Sequence, residues 1–315
     1  TLDGSENMQP DWVWLRPRNA NDAHRLMNSV SGASKYLTSY ATSAEADTGS
    51  DFASFDSDGF TLGGSDGGWN SSSYNYVAWC WKAGGSASSN SDGSTTSSVS
   101  ANTTAGFSIV SWTGTGSATT VGHGLGAVPK WIIVKNRDTA RNWNIYYGDE
   151  TDYLQLNDTG ATIDNVNKWN DTAPTSSVFT VNTSSDTNAS GDGMIAYCFA
   201  EKKGYSKFGG YIGNSNAEGV FVYTGFKPAF VMVKRTDNVS NFQMQDNKRI
   251  GYNVNNYRLN ADTIDAETTS GVMDFVSNGF KFRGTPMNTT DGTFEYMALA
   301  ESPFVNSNGV PNNAR

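Results

Sequence analysis

The apolar residues of this chain fall in short runs. Ile132-Ile133-Val134, Val231-Met232-Val233, Phe107-Ser-Ile109-Val-Ser-Trp112 and Val220-Phe221-Val222-Tyr223 are representative. They are rich in β-branched and aromatic side chains and are bounded by Gly, Asn, Asp and Ser, which is the pattern of strands. Within 107–112 apolar residues occupy both alternating faces, so both faces of that strand are expected to be covered. Asp58-Gly59, Asp66-Gly67-Gly68, Asn278-Gly279, Asp291-Gly292 and Asn308-Gly309 read as turns, because Asn-Gly and Asp-Gly supply the positive φ that tight hairpins need. Helical spacing appears at 20–30, where Ala23, Leu26, Met27 and Val30 recur behind Asn19 or Asn21 as cap. A helical turn is read near 262–268.

The same pattern occurs three times. Pro10-Asp-Trp12-Val-Trp-Leu-Arg-Pro-Arg18, Pro129-Lys-Trp131-Ile-Ile-Val-Lys-Asn-Arg137 and Pro228-Ala-Phe230-Val-Met-Val-Lys-Arg-Thr236 each join a proline, an aromatic, an apolar run and a basic end. Copies two and three hold register over a long stretch. Trp112 matches Tyr211, Gly114 matches Gly213, Val121 matches Val220, Pro129 matches Pro228 and Trp143 matches Phe242, all at an offset of 99. The offset becomes 101 at Phe179 and Phe280 and 100 at Asn188 and Asn288 and at Ala200-Glu201 and Ala300-Glu301. Copy one is more divergent, but Gly59-Phe60 corresponds to Gly279-Phe280. Its closing strand, Tyr76-Val-Ala-Trp-Cys80-Trp81, corresponds to Ile195-Ala-Tyr-Cys198-Phe199 and Tyr296-Met-Ala298-Leu299. Several short strands with turns between them, repeated in tandem, predict an all-β fold of β-sandwich (jelly-roll-like) repeats with very little helix.

The expected organisation is a divergent first repeat at 1–84, a linker at 85–104, a second repeat at 105–204 and a third at 205–315 that includes a C-terminal tail. The linker expectation rests on composition, since 84–104 is almost wholly Gly, Ser, Asn and Thr, with Val99 its one sizeable apolar residue. No such spacer divides copies two and three, so those two are expected to pack closely. Thr1 is not an initiator, which suggests a fragment or a processed chain.

Apolar residues are 37% and charged residues 17%, both low for a globular chain, yet aromatics are 12%. Disordered chains lack aromatics, so these rings point to folded cores. A net charge of −9 weighs against a nucleic-acid partner, and no apolar run approaches the length of a membrane-spanning helix.

The search for chemistry returns scaffold. Cys80, Cys198 and Ala298 share one repeat position, so the cysteines read as small buried residues and not as a disulfide. His24 and His123 are the two histidines, and neither has a histidine partner in sequence, which leaves no zinc pattern. Gly63-Gly-Ser65-Asp-Gly67 fits Gly-x-Ser-x-Gly formally but opens a polar, glycine-rich loop where a nucleophile elbow needs a helix. Glu201 and Glu301 recur by position, and with Asp274 they are the carboxylates a glycoside hydrolase would need. Asp56, Asp58 and Asp149-Glu150-Thr-Asp152 are candidate calcium oxygens, but without an EF-hand pattern they read as solvated loop acids. The basic strand ends at Arg16 and Arg18, Lys135 and Arg137, Lys234 and Arg235 read as edge charges or as partners for acids of a neighbouring unit. Eight Asn-x-Ser/Thr sequons, among them Asn70, Asn102, Asn188 and Asn288, follow from composition. The expectation is therefore no catalytic residue, no metal site, no cofactor and no assigned receptor-binding residue. Recognition is expected in what does not recur: the stretch around His24, the segment 84–104, and the loops where the copies differ.

Several segments resemble repeats of unassigned function in structural proteins of bacteriophages. They are His24-Arg-Leu-Met-Asn-Ser-Val-Ser-Gly-Ala-Ser-Lys-Tyr36-Leu37, Tyr76-Val-Ala-Trp-Cys-Trp-Lys-Ala-Gly-Gly85, Ser100-Ala-Asn-Thr-Thr-Ala-Gly-Phe-Ser-Ile-Val110, Val121-Gly-His-Gly-Leu-Gly-Ala-Val-Pro-Lys130, Gly204-Tyr-Ser-Lys-Phe-Gly-Gly210 and the Phe304–Arg315 ending. The resemblance covers nearly the whole chain. It implies a virion protein, extracellular and borne on the tail or particle surface, most simply a tail-fibre component that attaches to the host by non-catalytic binding. A capsid decoration or head-fibre protein is the alternative, and a polysaccharide depolymerase a lesser one. The implied partners are further copies of the chain (a trimer, by analogy with fibrous viral proteins), other virion proteins, and a host surface glycan or protein. No nucleic acid and no membrane insertion are implied.

Overall fold

The structure is a computed structural model that describes residues 7–301. The Asn308-Gly309 turn and the C-terminal tail lie outside the described residues. The described chain is nearly all β, as the pattern predicts. Copy one holds β1 (Trp12–Pro17), β2 (Arg25–Asn28), β3 (Lys35–Tyr36), β4 (Ala46–Asp47), β5 (Phe52–Asp56), β6 (Gly59–Leu62) and β7 (Tyr76–Trp81). They form the sheet β2-β1-β7 and the hairpins β3-β4 and β5-β6.

Copy two runs through β8 (Ser88–Asn90), β9 (Ser97–Asn102), β10 (Phe107–Thr113), β11 (Thr119–Gly122), β12 (Pro129–Asn136), β13 (Asn144–Tyr146), β14 (Asp152–Gln155), β15 (Ile163–Asp164), α1 (Val166–Trp169), β16 (Val178–Val181), α2 (Ser185–Asn188) and β17 (Gly193–Ala200). Its large sheet has the order β15-β14-β13-β12-β17-β10-β9-β8, and β11 pairs with β16. Copy three holds β18 (Ser206–Ile212), β19 (Phe221–Tyr223), β20 (Phe230–Arg235), β21 (Gln243–Asp246), β22 (Leu259–Asn260), β23 (Met273–Val276), β24 (Gly279–Phe282) and β25 (Thr293–Leu299). These make the sheets β18-β25-β20-β21-β22 and β19-β24-β23. Copies one and two form one compact unit, and copy three with residues 158–163 forms the other.

The repeat is visible in the ladders. Trp12 faces Trp81 and Val13 faces Cys80; Trp131 faces Phe199 and Ile132 faces Cys198; Phe230 faces Leu299 and Val231 faces Ala298. The Cys, Cys, Ala position thus lies on one strand of the same central pair in every copy. Both cysteines are free, and burial pushes both thiols up. The pairing also adjusts the alignment. Val121 faces Phe179 and Val222 faces Phe280, so Val121 corresponds to Val222 and not to Val220.

Within the first unit β1, β12 and β17 are buried on both sides, which is why their sequences read as continuous apolar runs, whereas β7 leaves Ala78 exposed. One face of β1 joins Val13 and Leu15 to Met27, Phe52 and Trp69. The other face carries Trp12, which stacks on Tyr197 at 4.3 Å between ring centres and lies 4.5 Å from Trp81 and 5.9 Å from Phe107. The opposite face of the copy-two sheet joins Val110, Ile132, Val134, Ala196 and Cys198 to Val121, Phe179 and Val181 of the β11-β16 pair. Each large ring removes roughly 150–250 Å² from water, worth about 4–6 kcal/mol of transfer free energy. Copies one and two are therefore joined by a layer of aromatic side chains.

Four expectations are corrected. Residues 85–104 are not a flexible linker. They supply β8 and β9, and β9 pairs with β10 along 98–102. Serine and threonine backbones can complete an edge when a neighbouring strand satisfies their hydrogen bonds, whatever the polarity of their side chains. The 20–30 stretch is not helical. Its apolar residues enter β2, where Leu26 faces Trp14 and Met27 faces Val13, so pairing to β1 overrides the helical period. Residues 262–268 form no helix. The helical turns are α1, capped by Asn165, and α2, capped by Ser184. The hairpin glycines also act differently from expectation. Gly59 and Gly279 are ladder residues facing Asp56 and Val276, so the turns are Ser57-Asp58 and Ser277-Asn278. Glycine is needed at 279 for closeness: a Cβ there would sit 2.0 Å from the Val222 carbonyl oxygen.

Candidate functional site

Most candidate residues are absorbed by the scaffold. His24 is fully buried immediately before β2, as Trp143 is before β13 and Phe242 before β21, and its Nδ1 accepts the Trp14 Nε1–H at 2.7 Å. His123 is also fully buried; its Nδ1 accepts from the Leu125 N–H at 3.2 Å, so its Nε2 carries the proton given to the Thr175 carbonyl. Burial lowers its pKa, which keeps the ring neutral. The sequence alignment set Val222 opposite His123, whereas the backbone bonds of His123 to Ser177 and of Thr224 to Asn278 make Thr224 its counterpart. Ser65 lies in a loop followed by turns, not a helix.

The carboxylates do not converge. Glu201 and Glu301 are exposed and paired with Lys207 and Lys248. Asp56 accepts from the Ser54 and Thr61 hydroxyls, which lower its pKa. Asp149 accepts from the backbone and hydroxyl of Thr151. Among the described residues no three His, Cys, Asp or Glu side chains are grouped as metal ligands. The sequon residues Asn188 and Asn288 are fully buried, and each amide holds a loop to the end of the sandwich through carbonyls such as Ser117 and Asn216.

The first cation of each basic strand end is not an edge charge. Arg16, Lys135 and Lys234 are all fully buried. Burial pushes the pKa of Lys135 and of Lys234 down to about 8. Arg137, two residues on, does meet an acid of another copy: its guanidinium clasps Glu45 at 2.6–3.2 Å.

The exposed chemistry gathers on the small sheet of copy three. Along β19 Val222 points into the core, whereas Phe221 and Tyr223 are 46% and 63% exposed. A strand alternates faces, so both rings stand on the outer face. The Phe221 ring reaches Gly279, where a Cβ would lie 3.0 Å from it. Beside them Lys281 projects between core residues Phe280 and Phe282, and its ladder partners are Phe221 and Asp274. Glu218 bonds Lys281 at 2.8 Å and Arg283 at 2.7 Å, and Arg283 reaches Asp274 at 2.5 Å. Lys281, then Arg283, hold the Glu218 pKa down. Asp274 is 4% exposed, and its second oxygen has no partner among the described residues. At the far edge Asn253 bonds both backbone groups of Phe275, and Asn255 pairs with Met273. That segment presents Tyr252 and Val254, 70% and 42% exposed.

The matching face of copy two is closed. Thr120 and Gly122 stand where copy three has Phe221 and Tyr223. Thr95 pairs in parallel with Val121, and Ser94 exchanges bonds with Thr120 at 2.8 and 3.0 Å. A Cβ on Gly122 would meet the Asn90 side chain at 1.7 Å. The segment once expected as a linker therefore lies over this edge. Sequence reasoning missed the copy-three face, although the non-recurring pairs Thr120/Phe221 and Gly122/Tyr223 mark it once the register is known.

A family model described as Domain of unknown function (DUF7483) matches residues 3–303, so the chain belongs to that family. No curated protein and no solved structure matches it.

Proposed function

We propose that this DUF7483 protein is a bacteriophage virion protein of the tail-fibre kind, which attaches to the host cell by non-catalytic binding through the outer face of the copy-three small sheet. The observation that carries this reading is the exposed set of Phe221, Tyr223, Tyr252 and Val254 beside the Glu218, Lys281, Arg283 and Asp274 cluster. Rings bound in the open favour stacking on an apolar face, and fixed charges at their side accept and donate hydrogen bonds; a sugar or a protein loop offers both. The ion pairs hold the charged side chains in place before a ligand arrives, which lowers the ordering cost of binding. The resemblance of the repeat segments to phage structural proteins supplies the virion setting. Among the described residues no helix is long and apolar enough to cross a membrane.

The test is retention of host envelope components and of a glycan array on the immobilised chain. The expected result is retention by the wild type and at least about tenfold weaker retention by Phe221→Ser with Tyr223→Ser, as expected when central aromatic anchors are removed. Retention of nothing by the wild type, or equal retention by the variant, sinks the assignment.

A further inference from the structure

The small sheet of copy three has an unfilled edge. β19 pairs with β24 on one side and with no strand on the other. The Phe282 N–H donates to the Val220 carbonyl and the Thr224 N–H to the Asn278 carbonyl, so residues 220, 222 and 224 turn their backbone groups toward β24. The N–H and C=O of Phe221 and of Tyr223 turn the other way. Those groups have no hydrogen-bond partner among the described residues.

The same groups are filled in copy two. The Thr120 carbonyl accepts from the Thr95 N–H at 3.0 Å, the Thr120 N–H donates to Ser94 Oγ at 3.0 Å, and the Gly122 carbonyl accepts from Ser97 Oγ at 2.8 Å. That strap comes from the long chain between β7 and β10, which also forms β8 and β9. Between β17 and β18 there is only the short turn 201–205, so copy three has no such residues for its own edge. Nothing within 221–223 blunts it either: there is no proline and no charge. The far edge of this sheet is closed, because Asn255 pairs with Met273 and Asn253 bonds both backbone groups of Phe275.

We propose that two copies of this chain pair through β19, antiparallel and about a two-fold axis at Val222, so that their small sheets become one. The edge is complementary to itself in this register. Phe221 of each copy faces Tyr223 of the other, and both residues present an outward N–H and C=O, so each pair exchanges backbone hydrogen bonds. A shift of one residue would set outward groups against inward ones, which fixes the register. The exposed rings of Phe221 and Tyr223 meet as cross-strand aromatic pairs. Because the contact uses the same surface on both molecules and the β23 edge is closed, association through this sheet stops at a dimer. The rings stay on the outer face, so the pairing leaves the attachment face open and does not depend on that reading.

Sedimentation equilibrium of the full chain over a range of concentrations tests this. The expected result is a monomer–dimer equilibrium. Phe221→Lys with Tyr223→Lys sets like charges directly opposite each other and should weaken the dimer by at least about tenfold, and Phe221→Glu with Tyr223→Glu should do the same. An equimolar mixture of these two variants should form a heterodimer, since each pair then joins opposite charges. Tyr223→Pro removes an outward N–H and leaves the β24 ladder whole, so it should weaken the dimer more than Tyr223→Ser, which removes only the ring. Circular dichroism confirms folding of each variant. A wild type that stays monomeric, charged variants that associate as the wild type does, a mixture without heterodimer, or a proline variant no weaker than the serine variant would overturn the proposal.

Discussion

Copies two and three share a central strand pair, a small facing sheet and a buried lysine, yet they treat two positions in opposite ways. In copy two the outer edge of the small sheet lies under residues 90–97, and threonine and glycine are what fit there. In copy three the same positions hold Phe221 and Tyr223 in the open. The position facing the buried lysine also differs. Ile195 faces Lys135, whereas Glu295 faces Lys234. The template fixes the core, and the variable positions decide which face stays available and which pH trends each unit carries.

All nine tryptophans lie at or before residue 169 and outside 158–163, so tryptophan fluorescence follows the first unit alone. The largest expected effect is Trp12→Ala. It removes a fully buried ring from the aromatic layer and should cost about 3–5 kcal/mol. Fluorescence-detected urea unfolding should show that loss, while amide exchange in 206–299 stays unchanged. An equal loss in both units would end the comparison.

Next comes pH. Lys135 has a pKa near 8 in the folded state against an ordinary 10.5. Between those values the unfolded chain binds the extra proton, so stability rises as pH increases from about 8 to 10, by about 2 kcal/mol. Lys135→Met should flatten that rise in the fluorescence signal. Lys234 acts alike in the second unit.

Glu295 gives the second unit a trend of opposite sign. Burial raises its pKa from 4.5 to about 7. Its contribution is complete below pH 4.5 and is lost as pH rises through 7, and Asp262, raised by burial to about 6, adds to the fall. Glu295→Gln should stabilise the second unit at pH 8 by on the order of 2 kcal/mol, read as slower amide exchange along 293–299. A first unit that shows the same fall between pH 4.5 and 7 would contradict the assignment to Glu295. The smallest expected effect is on stability from Phe221→Ser with Tyr223→Ser. Exposed rings contribute little to folding, so the melting curve should shift by less than the equivalent of about 0.5 kcal/mol.

Much of the fold was legible. The Pro, aromatic, apolar run and basic end signature marks β1, β12 and β20, and the shared Cys, Cys, Ala position is confirmed residue by residue in the ladders. What misled was composition read alone. Residues 85–104 look like a connector because their side chains are polar, but a ladder is made by backbone groups. The period at 20–30 looks helical, but Leu26 and Met27 are committed to β1. The candidate site was legible only as a place where copies differ. The two-residue shift between Val220 and Val222 hid which residues correspond.

The sequence by itself determined that this protein is three copies of a β unit, because periodicity and turn chemistry act locally and repeat. Tertiary structure decided which of those copies share a core layer, where the buried cations sit and which sheet face stays exposed. Those outcomes depend on what each strand is packed against, and no single strand's pattern contains its neighbour.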